Sequence, residues 1–102
     1  MNMESLVEDQ AELKKQLYDV INEWMMREKC RLEPETALGM ALGAVTEAAA
    51  NYTATYRFHN RFSDEWSQLC CEVAAKVFYN SHYIHLQQLA KEFGTDELPP
   101  IN

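Results

Sequence analysis

Residues 36–56, TALGMALGAVTEAAANYTATY, decide how the rest of the chain packs. From Ala37 to Ala50 nearly every residue is small or aliphatic, and only Thr46 and Glu47 interrupt the run. Gly39 and Gly43 stand four apart among alanines at 37, 41, 44, 48 and 49. Side chains this small let neighbouring helices approach closely. A helix apolar around most of its circumference belongs in the middle of a fold. The stretch therefore reads as a central helix with the flanking segments packed on either side of it.

Working outward, the preceding residues 4–31 read as a first helix. Leu6, Leu13, Leu17, Val20 and Trp24 recur at seven- and then four- or three-residue steps, with Ile21 and Met25 widening the stripe. That is the seam of a helix lying nearly parallel to a neighbour. Asp9, Glu12, Asp19 and Glu23 fall on the opposite, acidic face. Leu32-Glu33-Pro34-Glu35 breaks the pattern, because proline suits the first position of a helix and disfavours helix in the residue before it. The central helix is expected over about 34–59. A second break, Asn60-Arg61-Phe62-Ser63, supplies Ser63 as an N-cap with Asp64 and Glu65 in the favourable first turn.

The third helix is expected over 64–93. Trp66, Leu69/Cys70, Val73, Val77 and Ile84 form its stripe, and Gly94 is its stop. The acidic, proline-containing tail 95–102 is expected to be extended or disordered. The fold class is all-α: an antiparallel bundle of three long helices forming a single domain over 1–94. Three glycines and three prolines in 102 residues leave little material for the turns of a β protein. Three such long helices leave wide apolar stripes partly uncovered, on the third helix above all, so either the helices kink and fold back or the chain dimerises, and a homodimer is the favoured expectation.

Net charge is −7, and the acids are unevenly placed. Residues 1–35 hold nine acids against five bases, 36–62 one against two, and 63–102 six against two. No basic stripe exists for a nucleic-acid backbone. No run approaches the ~18 apolar residues of a membrane span, and the opening residues have no secretory-leader pattern. Cys30, Cys70 and Cys71 are odd in number, and two are adjacent, so they read as reduced thiols in a cytoplasmic protein.

The densest chemistry straddles the second break: Tyr52, Tyr56, Arg57, His59, Arg61 and Trp66, with Phe58 and Phe62 among them. On a continuous helix Thr53, Arg57 and Arg61 share a face that could hold an anion beside aromatic rings. The simpler alternative is that the rings plug one end of the bundle while the arginines lie over them. A second candidate patch joins Trp24 and Met25 to His82, Tyr83 and His85. His82 and His85 lack the Glu-x-x-His partners of a di-metal bundle, so no metal or other cofactor is assigned. No catalytic set is assigned either. Glu47 is a lone acid in the apolar helix, and no cysteine has a histidine at a diagnostic spacing.

The leading expectation is thus a small acidic protein without catalysis that binds or inhibits a larger protein, in the manner of a phage inhibitor of a host nucleic-acid machine. The alternative is a module binding a small anion or nucleotide at the aromatic and arginine cluster.

Overall fold

The computed structural model describes residues 2–94 as three helices, α1 (Met3–Glu28), α2 (Pro34–Asn60) and α3 (Asp64–Phe93). The expected all-α architecture of three long helices is what the chain adopts, and among the described residues there is no strand. The tail over 95–102 lies outside the described residues. The chain forms two compact units, Met1–Ala50 and Asn51–Asn102, with the boundary falling inside α2.

Each helix is closed by local chemistry. Asn2 caps α1, its side-chain oxygen accepting from the Ser5 amide at 2.8 Å. Helix α1 ends at Glu28 rather than at the expected residue 31. There the Glu28 carbonyl accepts from the amides of both Arg31 and Leu32 at 2.9 Å. The Arg31 side chain also pairs with the Glu28 carboxylate at 2.6 Å. Pro34 opens α2, where a missing amide costs nothing. Ser63 caps α3 by accepting from the Trp66 amide, and Gly94 closes it at φ 73°, with its amide donating to the Ala90 carbonyl.

In the first unit, α1 meets the first half of α2 as a hairpin whose burial is concentrated at the turn. Ala37 and Ala41 are buried, one helical turn apart on one face. Ile21, Trp24, Met25 and Glu28 are half-buried on a single face of α1, and Leu32 is half-buried in the turn. Beyond this end the stripes are uncovered. Leu6, Leu13, Leu17 and Val20 are 47–65% exposed, so the expected α1 seam has no partner in its own hairpin. Leu38, Met40, Leu42 and Val45 are exposed as well, which corrects the expectation of a central, enclosed helix. The reason is geometric: within a hairpin one neighbour covers one face. A Cβ built on Gly39 or Gly43 meets nothing within 4 Å, so the close approach expected at these glycines is not made.

In the second unit, the last ten residues of α2 span only about 15 Å and therefore shield only the beginning of α3. Trp66, Ser67 and Cys70 are half-buried there, while Leu69, Val73, Val77 and Ile84 remain exposed. The stripe expected along α3 is thus covered at its first turns alone. Further on, Tyr83 and Leu86 are half-buried and Ala90 is buried, at steps of three and four. Among the described residues the three alanines at 37, 41 and 90 are the only buried hydrophobic side chains.

Candidate functional site

The α2–α3 turn is held by a network of hydrogen bonds, and it starts from one backbone conformation. Arg61 follows the last helical residue with φ 55°, the left-handed conformation usually given to glycine. This lets the Phe62 amide donate back to the Arg57 carbonyl at 3.2 Å. The six-to-one closure is the Schellman motif, which satisfies a carbonyl the helix end would otherwise leave open. The Asn60 side-chain amide also donates to the Tyr56 carbonyl at 2.8 Å.

Arg57 then ties the turn to α3. Its Nε donates to the Phe62 carbonyl at 3.1 Å, and its Nη1 reaches Ser67 Oγ at 2.7 Å and Asp64 Oδ1 at 3.4 Å. The planar fork can serve three acceptors at once, which an ammonium on a flexible stem cannot do in one fixed geometry. Asp64 also accepts from Gln68 at 3.0 Å and sits in the first turn of α3, where a negative charge is favoured.

Three rings pack over this clamp. Phe62 and Trp66 have centroids 5.0 Å apart, Tyr56 and Phe62 5.8 Å, and Tyr56 and Trp66 6.3 Å. These separations are those of stabilising offset and tilted ring pairs. Beside the trio is a shallow open hollow of about 750 Å³ lined by Ala54, Arg57, Phe58, His59, Arg61 and Phe62. Phe58 is 79% exposed there, and its ring meets the edge of His59 at 5.5 Å.

Of the residues expected at this site, the turn brings Tyr56, Arg57 and Trp66 into one cluster and His59 and Arg61 into the neighbouring hollow. Tyr52 is exposed one turn earlier on α2. Arg61 does not share a helical face with Thr53 and Arg57, because α2 ends at Asn60 and the chain reverses. Asp64 and Ser67 were not legible as site residues. Their spacing of seven and ten from Arg57 acquires meaning only once the turn is closed.

The second candidate patch divides between the two units. Trp24 and Met25 are half-buried at the turn end of the first hairpin. On α3, Tyr83 is half-buried, with Tyr79 at 4.8 Å and His82 edge-on at 5.0 Å. His82 also stacks on Phe78 at 6.4 Å, and His85 is exposed. Among the described residues no group of three or more His, Cys, Asp or Glu is placed to hold a metal ion.

The acidic residues Asp9, Glu12, Asp19 and Glu23 are all exposed on α1, and Glu12 accepts from Gln16 at 3.3 Å. Glu47 is exposed too. Cys30 and Cys71 are exposed and Cys70 half-buried, all as free thiols. No described helix is long and apolar enough to cross a membrane. No family model, curated protein or solved structure matches the chain.

Proposed function

We propose that the chain is a non-catalytic helical module that binds a larger protein through the α2–α3 end of its second unit. The observation that carries this reading is a braced patch of exposed and half-buried aromatic and guanidinium groups. Tyr56, Phe62 and Trp66 are held against one another, Arg57 fixes the turn beneath them, and Phe58 stands out beside the hollow. Tryptophan, tyrosine and arginine are the residues that most often dominate protein interfaces. Rings already packed lose little conformational freedom on binding, which favours affinity. The exposed α3 residues Leu69, Val73 and Val77 continue apolar surface away from this end.

The test compares capture from source or host cells by the full chain and by its Phe58→Ser variant, both checked for helix content. One stoichiometric protein retained by the first and lost by the second is the expected result. Equal capture by both would place recognition elsewhere.

A second reading has its own support. Among the described residues the Arg61 guanidinium makes no ion pair, and it lies with His59 at the rim of the hollow. A left-handed arginine is a strained choice where glycine would serve, and such strain tends to persist where the side chain is used. That combination suits a small anion or a nucleotide phosphate. Arg57 is a poor probe for it, being committed to the turn. Arg61→Gly removes the guanidinium while keeping the turn. Stabilisation of the chain by a nucleotide or phosphate, abolished in that variant, supports the anion reading, and no stabilisation across a nucleotide panel excludes it.

A further inference from the structure

We infer that the uncovered seam of α1 is the contact through which two copies of this chain associate, as a parallel, in-register coiled coil over Met3–Val20. The inference goes beyond the protein-binding reading above and uses a different surface.

From Met3 to Trp24 the heptad positions that face a coiled-coil partner are Met3, Leu6, Gln10, Leu13, Leu17, Val20 and Trp24, and all but Gln10 are apolar. Met3, Leu6, Leu13, Leu17 and Val20 are all exposed, and Met3 is 76% so. The hairpin begins to take over at Ile21, where α1 becomes half-buried on its way to Glu28. The seam is therefore open along its first part and closed by its own chain along its last.

Two features select a second copy as the occupant. Gln10 is the one polar residue on the seam, and an amide carries both donors and acceptors, so it is complementary to its own twin in a parallel pair. A lone polar residue at this position fixes strand register in coiled coils. The flanking charges also match their own copies. In the parallel register Asp9 of one chain faces Lys14 of the other, twice by symmetry, and both residues are exposed. The like-charged Glu23 and Glu28 would oppose each other only beyond the open part. There Glu28 is already paired with Arg31 at 2.6 Å.

The experiment is sedimentation equilibrium of the full chain and three variants, with helix content followed in each. The full chain is expected to be a dimer, and a monomer at all concentrations overturns the proposal. Asp9→Lys is expected to weaken the dimer about tenfold by setting like charges opposite each other, and Asp9→Lys with Lys14→Asp to restore it. These exposed positions leave the hairpin intact, and a dimer indifferent to both changes has its interface elsewhere. The third variant is Gln10→Cys with Cys30, Cys70 and Cys71 replaced by serine. On mild oxidation it should become a covalent dimer, and a dimer that fails to cross-link overturns the parallel register. Phe58→Ser is expected to remain dimeric. Loss of partner capture with dimerisation intact therefore bears on the α2–α3 end alone.

Discussion

Arg57 and Arg61 stand four residues apart and do opposite things to the α2–α3 turn. Arg57 joins the end of α2 to Phe62, Asp64 and Ser67. Its ion pair with Asp64 is largely in water, with the aspartate side chain 72% exposed, so the hydrogen bonds are the greater part of its contribution. Arg57→Ala is expected to cost about 1–2 kcal/mol. In a thermal melt that lowers the midpoint by several degrees, and Arg57→Lys should recover only part of it. Arg61 is held at φ 55° without the conformational freedom of glycine. Arg61→Gly is expected to raise stability by about 1 kcal/mol in denaturant titration. A fall in stability would mean that the arginine side chain stabilises the turn by more than its backbone strain costs. The composition of this cluster could be read from the chain, since its rings and bases crowd into 52–66. The division of labour could not, because it follows from the single left-handed residue that ends α2.

At the scale of elements, hydrophobic period and capping chemistry made the helices legible almost to the residue. Ser63, Asp64 and Glu65 mark the start of α3 as they do in the sequence, and Ser63→Ala is expected to cost about 1 kcal/mol in a chemical melt. The end of α1 was less legible. Lys29 and Arg31 suit a helix C-terminus by charge, yet the helix ends at Glu28 and both residues fall in the turn that follows. What the sequence did not disclose is which faces get covered. Ala37 and Ala41 were expected inside, and they are, but so were Leu38, Leu42 and Val45, which are not. Periodicity reports that a face is apolar and says nothing of what lies against it. Gly39 makes this distinction measurable. With open space at its Cβ, Gly39→Ala should stabilise the dilute chain by about 1 kcal/mol through helix propensity. A loss of stability instead would show another helix seated on the glycine in solution.

For the molecule as a whole, no large side chain is fully buried among the described residues. Among the described residues leucine, valine and aromatic residues stand at exposed positions on all three helices, while the buried apolar groups are alanines. On the proposed pairing through α1, the melting temperature is expected to rise with protein concentration, and a midpoint constant over a hundredfold dilution would count against that pairing. The alanine interior also has a calorimetric consequence. The heat-capacity step on unfolding measures the apolar surface released to water, and an ordinary domain yields about 12–15 cal/mol/K per residue. A dilute single copy, with little such surface to release, should unfold with a smaller step, over a broad temperature range and with an almost straight stability curve. On the proposed pairing of two copies, burial of the α1 seam should restore part of that step and part of the curvature.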